Sequence, residues 1–155
     1  MVLDQHLTFS SHISKVVQQA SQSMYALKTL KSYGLPPTSL AIMYRSTLVS
    51  RLLYASPCWG GIIPSSDRAR LQSVLNRGAR WGLCASKAFD ITVLCAHADS
   101  TLFHKVLTNP DHILCPLLPP PLSNVHNLRQ RSHNLTVSRR DTFTNYNFIR
   151  RMLFS

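Results

Sequence analysis

The residues that could carry chemistry are few and widely spread in this 155-residue chain. All six acidic residues are Asp, and no two lie close enough in sequence to predict the carboxylate pair of a general acid–base site. The chain has no G-x-S-x-G motif for a nucleophile and no glycine-rich loop with phosphate-binding spacing. We therefore expect that the chain is not an enzyme by itself.

One short motif, His97-Ala98-Asp99, matches two ligands of a non-haem iron site, with His126 or His133 as candidates for the third. That chemistry needs the pair on a strand edge, whereas the apolar pattern around it predicts a helix. Side chains two residues apart on a helix point about 200° away from each other. The pattern therefore speaks against an iron site.

Zinc is the alternative metal, because candidate ligands cluster within 21 residues. They are Cys95, His97, His104, His112 and Cys115. Structural zinc sites usually have two close ligand pairs on turns, and Cys95-x-His97 is not such a pair. We expect no bound cofactor, and we interpret Cys84 and Cys95 as small apolar core residues.

The net charge is the most informative feature of the composition. The chain has 17 Lys and Arg residues against 6 acids, which gives a formal net charge of +11. Such a chain attracts polyanions through long-range steering and counterion release, so nucleic acid is the first partner to expect. Anionic membrane surfaces come second, and a basic protein without a specific partner is the remaining alternative.

The candidate nucleic-acid-binding residues are eight arginines in two groups. They are Arg68, Arg70, Arg77, Arg80, Arg129, Arg131, Arg139 and Arg140. The first group spreads over several faces of one predicted helix, so only some of its members can touch one phosphate track. The second group, together with Arg150 and Arg151 further along the tail, is interleaved with Phe143, Tyr146 and Phe148. Cations interleaved with aromatic residues suit phosphate contact and base stacking. A solvated basic surface is the competing interpretation.

Apolar residues recur at spacings of three and four and predict about four helices. The first runs from about Ser11 to Tyr33 with Ser10 or Ser11 as N-cap, and Gly34 ends it. Pro36-Pro37-Thr38 opens the predicted second helix, which runs to about Ala55 with Thr47 in its apolar stripe. A third helix is capped by Ser66 or Asp67, and a fourth runs from Asp90 to Leu107. The broad apolar surface of the second helix, which includes Ile42, predicts burial on more than one side.

The expected fold class is mostly α, a small helical bundle followed by a proline-rich connector and an irregular basic tail. The expected segments are a short N-terminal segment (1–9), a helical region (10–108), the connector (109–123) and the tail (124–155). Three consecutive prolines prevent a continuous helix in the connector. Within the tail we expect a short strand near 128–137 and a helical turn at 148–154.

A series of short sequence motifs occurs in order along the predicted helices. Leu7-Thr8-Phe9-Ser10-x-His12-Ile13 opens the first helix, and Leu40-x-x-x-Tyr44-Arg45-Ser46 follows in the second. Tyr54-Ala55-Ser56-Pro57-x-Trp59 and Ser66-Asp67-Arg68-x-Arg70-Leu71-Gln72 continue the series. The series resembles the stretch after the catalytic palm in non-LTR (LINE-type) retrotransposon reverse transcriptases. Leu128-Arg129-x-Arg131 and the terminal Met152-Leu153-Phe154 extend the resemblance downstream, so it covers nearly the whole chain.

The resemblance implies that residues 10–108 form a thumb-like set of helices that holds template–primer nucleic acid in the full enzyme. It also implies that residues 1–9 are a remnant of the junction between palm and thumb. In that family an adjacent Asp-Asp pair binds catalytic Mg²⁺, and this sequence contains no Asp-Asp. The resemblance therefore implies a non-catalytic fragment of an RNA-directed DNA polymerase, without the Mg²⁺ of the parent enzyme. The expected partners are RNA or DNA, bound weakly, and the missing palm domain.

Two alternatives remain at the level of sequence. The chain could be a helical protein-interaction module whose basic charge is incidental. The first two helices also resemble a segment at the N-terminus of an alkylated-DNA-repair-type, tRNA-modifying dioxygenase. The chain lacks the sheet and the methyl-donor loop that the activities of such proteins require, so this second resemblance predicts no oxygenase or methyltransferase chemistry.

The sequence also bears on location. The N-terminal stretch lacks a basic region followed by an apolar one, and no run of about 18 apolar residues occurs anywhere. We therefore expect an intracellular protein, nuclear or cytoplasmic, that is neither secreted nor embedded in a membrane. The four cysteines are then expected to be reduced thiols.

Overall fold

The structure is a computed structural model that describes residues 8–84, 89–122, 133–137, 139 and 146–154. Its regular secondary structure is helical, which confirms the mostly α fold class. The chain divides into two compact units, Met1–Ala98 and Asp99–Ser155. No helix within the described ranges is long and apolar enough to cross a membrane.

The helices of the first unit follow closely along the chain. They are α1 (Ser10–Ser32), α2 (Pro37–Met43), a π-helix (Tyr44–Val49), α3 (Ser50–Leu52), α4 (Ser56–Trp59) and α5 (Ser65–Arg80). The remaining elements are α6 (Ile91–Thr108), a 3₁₀ turn (Cys115–Leu117) and α7 (Phe148–Leu153). The predicted first and fourth helices agree with α1 and α6 to within one residue at each end.

Helix α1 buries the face that its apolar spacing predicts. The buried residues of this face are Ile13, Val16, Ala20, Met24 and Leu27. Gly34 ends the helix as predicted, because its φ of 85° suits a residue without a Cβ. The backbone N–H of Leu35 donates to the Leu30 carbonyl at 3.2 Å and that of Gly34 to the Lys31 carbonyl at 3.0 Å. These two bonds form a Schellman motif, which satisfies carbonyls that the helix end leaves open.

The predicted second helix is present but is not a uniform α-helix. A six-residue π-helix, Tyr44–Val49, separates α2 from α3, and the Ser50 N–H donates to the Arg45 carbonyl five residues back. The wider turn leaves Thr47 exposed, so its predicted place in the apolar stripe is wrong. Burial on more than one side is also wrong at Ile42, which is 68% exposed.

The predicted N-caps of two helices are wrong for one shared reason. Phe9 and Pro64 occupy the N-cap positions of α1 and α5, and neither provides a side-chain cap. Instead the Ser10 hydroxyl donates to the Asp67 carboxylate at 2.8 Å, across 57 residues of sequence. The two polar groups that could have capped separate helices bind each other and join the starts of α1 and α5.

The core of the first unit lies between α1, the π-helix and α5. Its largest fully buried side chains include Trp59, Tyr44, Leu71 and Leu75. Gly78 of α5 lies directly against the ring of Tyr44, and a Cβ there would come within 2.5 Å of that ring. The close approach of α5 to the π-helix therefore requires a glycine at this position.

The second unit has a smaller core of its own, built from Phe103, Met152 and Leu153. Leu135 lies against this core and forms an isolated antiparallel bridge with Pro121. The helical turn predicted at 148–154 is confirmed as α7. Of the strand predicted near 128–137, the described residues contain only this bridge, and residues 128–132 lie outside them.

Candidate nucleic-acid interface

Helices α1 and α5 lie side by side and run in the same direction. Near their starts the Ser14 hydroxyl accepts a hydrogen bond from Arg70 at 3.1 Å. Near their ends the Lys31 ammonium donates to the Trp81 carbonyl at 2.7 Å. Side chains on the outer faces of both helices therefore contribute to one continuous surface.

Three of the predicted arginines share the outer face of α5. A helix turns by about 100° per residue, so Arg70 and Arg77 point within about 20° of each other and Arg80 lies about 60° further round. The rise of about 1.5 Å per residue spaces them over about 15 Å of helix axis. Arg70 and Arg80 are exposed and Arg77 is partly exposed, so all three guanidinium groups can reach solvent.

Helix α1 adds two lysines and an aromatic ring to this surface. The Lys28 ammonium lies 4.9 Å from the ring centroid of Trp81, a cation–π contact that brings Lys28 to the end of α5. Lys31 reaches the same residue through its carbonyl bond. Tyr25 lies one helical turn before Lys28 and is 69% exposed. We name this surface the basic face, formed by Tyr25, Lys28, Lys31, Arg70, Arg77, Arg80 and Trp81.

The basic face has little negative charge to neutralise it. Asp67 is only 4% exposed, and its carboxylate already accepts from Ser10 and from Arg70, the latter at 2.8 Å. In the described part of the chain, the other four cations of the face form no ion pair. The carbonyl ends of α1 and α5 favour cations at this end of the pair. The described residues of the basic face therefore carry a net positive charge.

Arg68 points away from the basic face. It lies about 160° round the helix from Arg70, and its guanidinium donates to the Gly60 carbonyl at 2.9 Å. This bond ties α5 to the turn after α4. The structure therefore gives Arg68 a tethering contact and separates it from the other three arginines of the predicted group.

The predicted tail arginines are only partly described. Arg129, Arg131 and Arg140 lie outside the described residues, and Arg139 is exposed. Of the tail cations nearby, Arg151 is turned inward and donates to the Asp99 carboxylate at 2.9 Å. The described residues therefore assemble the basic face from α1 and α5 without the tail.

The metal-site hypotheses find no assembled ligand set. Among the described residues, no three His, Cys or Asp side chains converge as a metal site would require. Asp99 is 8% exposed and binds Arg151; burial raises the pKa of its carboxyl, and the Arg151 charge opposes that rise. His112 accepts a backbone hydrogen bond from Leu114 through Nδ1 at 3.1 Å. His126 lies outside the described residues.

Sequence reasoning missed Tyr25, Lys28 and Lys31 as interface residues. Their spacing of three residues places them along one side of α1, and this was the signal available. Lysines near the C-terminal end of a helix are also favoured by the helix dipole, so the position of Lys28 and Lys31 does not by itself mark an interface. Their proximity to Trp81 depends on the packing of α1 against α5, which no local pattern specifies.

The chain was also compared with known proteins. Neither protein-family models, nor curated proteins, nor solved structures match it. The function is therefore inferred from the geometry and charge described above, together with the sequence motifs.

Proposed function

We propose that this chain is a non-catalytic, thumb-like helical element that holds nucleic acid against its basic face. The observation that carries the proposal is the set of five cations on one side of the α1–α5 pair; among the described residues, the acid beside them is Asp67, which is buried and already bonded. Phosphate contacts from such a face position a nucleic acid without reading its sequence. The resemblance to the thumb region of reverse transcriptases supports a template–primer duplex as the ligand.

The arrangement of the face suits this role. The three arginines of α5 extend over about 15 Å of helix axis, and Lys28 and Lys31 continue the positive charge at its end. Tyr25 and Trp81 offer aromatic surface between the cations, and such surface can contact an exposed base at a duplex end. In this proposal the helices position the nucleic acid, and any polymerisation chemistry belongs to a separate catalytic domain.

The proposal is tested by fluorescence anisotropy with a labelled RNA–DNA hybrid. The test variant combines Arg77→Gln with Arg80→Gln, which removes two charges and keeps residues that favour a helix. For each phosphate contact, the logarithm of the binding constant falls by about 0.9 for every tenfold rise in salt concentration. Relative to 1 M salt, one contact therefore strengthens binding roughly tenfold at 50 mM salt. We expect the double variant to bind about 10- to 100-fold more weakly than the unmodified chain at that salt concentration.

A matched control removes two charges that are not among the residues of the basic face. Arg45 lies over the ring of Phe89. The Phe89 carbonyl accepts a hydrogen bond from Gln72, which lies on the side of α5 that points away from α1. Lys105 is exposed on α6. We expect Arg45→Gln combined with Lys105→Gln to weaken hybrid binding much less. On a logarithmic scale, the change in affinity should be less than a third of that caused by Arg77→Gln with Arg80→Gln. Equal losses in the two double variants would mean that net charge alone attracts the hybrid, and the proposal would be wrong.

A further inference from the structure

A second polar surface lies on the other side of α1. A groove of about 680 Å³ runs between α1 and the π-helix with α3. Residues of α1 line one wall and hydroxyl-bearing residues line the other: His12, Lys15, Val16, Gln19, Ser46, Thr47, Ser50, Arg51 and Tyr54. The volume falls within the ~300–1,000 Å³ typical of small-molecule sites.

The groove lies apart from the basic face. Val16 and Gln19 of the groove point about 140° to 160° round α1 from Ser14, the residue that contacts Arg70. One short stretch of ligand therefore does not fill the groove and lie along α5 at the same time. This separation allows the two surfaces to be tested independently.

The charged residues of the groove are both cationic. Lys15 is exposed and Arg51 lies opposite, and the described lining residues include no carboxylate. The Nη1 atom of Arg51 donates to Ser23 at 2.8 Å and to the Gln19 carbonyl at 3.3 Å, which anchors the side chain across the groove. A guanidinium has five N–H donors, so Arg51 retains donors for an anion. The charge therefore selects for an anionic ligand.

The hydroxyl groups of the opposite wall can accept hydrogen bonds from a ligand. Ser46 and Thr47 both donate to the Met43 carbonyl, at 3.3 and 2.6 Å, and Ser50 donates to the Ser46 carbonyl. A hydroxyl that has used its proton still has lone pairs that accept hydrogen bonds. This wall therefore favours ligand donors such as ribose hydroxyls or the amino groups of bases.

Two further features point to an aromatic ligand with polar edges. Tyr54 is 63% exposed, and its backbone is held because Trp59 Nε1 donates to its carbonyl at 2.9 Å. His12 lines the groove, is 5% exposed, and its Nε2 has no hydrogen-bond partner within the described residues. Buried polar atoms are normally satisfied, so an unpartnered one marks a place where a bound group or water belongs.

We propose that this groove binds one nucleotide unit, with its phosphate on Lys15 and Arg51, its sugar or base edge on the hydroxyl wall, and its base against Tyr54. The choice of a nucleotide over other aromatic phosphates rests on the proposed function. The unit can come from a free nucleotide or from an unpaired residue of a single strand. Burial, with the charge of Lys15, lowers the pKa of His12, so near neutrality the imidazole is uncharged and can accept or donate one hydrogen bond.

The proposal is tested by ¹H–¹⁵N NMR titration of the full chain with four probes. The probes are adenosine 5′-monophosphate, a tetra-adenylate strand, adenosine and inorganic phosphate. We expect adenosine 5′-monophosphate to shift amides of residues 12–19 and 46–54, with at least tenfold tighter binding than adenosine or phosphate. Tighter binding of the tetra-adenylate identifies a strand as the source, and equal or weaker binding identifies the free nucleotide; both support the site. Absence of shifts at these residues, or equal affinity for phosphate alone, would overturn it.

Variants separate this site from the basic face. Lys15→Gln removes one of the two cations, and no fold contact of the Lys15 ammonium is seen within the described residues, so this variant should remain folded. We expect it to weaken the monophosphate at least fivefold, and Arg51→Gln to do so as well if its amide spectrum stays dispersed. The Arg77→Gln, Arg80→Gln variant should bind the monophosphate normally. Loss of hybrid binding with an intact groove, or the reverse, therefore shows which of the two proposals has failed.

Discussion

The contact between Gly78 and Tyr44 makes a sharp prediction about stability. A Cβ added at Gly78 would lie 2.5 Å from both Cε2 and the hydroxyl oxygen of Tyr44 and 2.8 Å from Cζ. Normal carbon contacts are about 3.5–4.0 Å, so one of the two elements must shift. Tyr44 is fully buried and cannot swing into solvent. We expect Gly78→Ala to push α5 away from the π-helix.

The size of the effect follows from two opposing terms. Replacing glycine by alanine within a helix normally stabilises it by about 0.8–1 kcal/mol, because alanine loses less backbone entropy. Overpacking a core by one methyl group typically costs about 1–3 kcal/mol, and a contact this short belongs at the upper end. The expected net change in the free energy of unfolding is a loss of about 1–2 kcal/mol.

The assay is urea unfolding followed by tryptophan fluorescence. Both tryptophans of the chain, Trp59 and Trp81, belong to the unit that contains Gly78, so the signal reports on that unit. With an m value of about 2 kcal/mol/M, the expected loss lowers the urea midpoint by about 0.5–1 M. Ser73→Ala, at an exposed position of α5, is the control and should change stability by less than about 0.5 kcal/mol.

A second substitution identifies the tyrosine as the cause. The Tyr44 hydroxyl is buried without a hydrogen-bond partner in the described residues, and burial raises its pKa to about 12. Tyr44→Phe removes this hydroxyl and one of the closest contacts, so it should be neutral or slightly stabilising. In that background Gly78→Ala should cost less than in the unmodified chain. If Gly78→Ala is as stable as the unmodified chain, the described packing of α5 against the π-helix is incorrect.

Two ion pairs, Asp67 with Arg70 and Asp99 with Arg151, should also contribute measurably to stability. Asp67→Asn weakens the hydrogen bonds to Ser10 and Arg70. It should therefore lower the free energy of unfolding, measured by urea unfolding, by about 1.5–3 kcal/mol. An unchanged urea midpoint would contradict the described contact between the starts of α1 and α5. Arg151→Leu leaves Asp99 buried without its partner and should further raise its already raised pKa. Because a raised carboxyl pKa favours the protonated folded state, stability is highest in acid and is lost as pH rises through the folded-state pKa. In Arg151→Leu, the free energy that protects the α7 amides from hydrogen exchange should therefore fall by about 3 kcal/mol at pH 7 and by clearly less at pH 4. Equal losses at the two pH values would contradict this reasoning.

Local signals in the sequence predicted the helices well. The apolar spacing of α1 and the glycine after it act within one or two turns, and the structure has the helix and the Schellman end that they predict. Asp90 precedes α6, and its carboxylate accepts from the Thr92 N–H at 2.7 Å, as an N-terminal capping residue does. Such features depend on neighbours in sequence, so they can be read without tertiary information.

The features that sequence reasoning missed depend on contacts between distant residues. The bond between Ser10 and Asp67 removed two predicted caps, and a partner 57 residues away leaves no local trace. The π-helix has no pattern of its own, because its residues also fit an α-helical stripe. Likewise, Arg68 and Arg70 differ in role only because Gly60 lies beside one of them and α1 beside the other.

If the basic face neutralises phosphates, binding of the RNA–DNA hybrid must depend steeply on salt concentration, and this dependence is the most direct test of the proposed function. Five cations give a logarithmic slope of at most about −4.5, and we expect a measured slope between about −3 and −4.5. Arg77→Gln with Arg80→Gln should reduce its magnitude by about 2, while Arg45→Gln with Lys105→Gln should leave it nearly unchanged. A slope near zero, or the same slope in both variants, would contradict the claim.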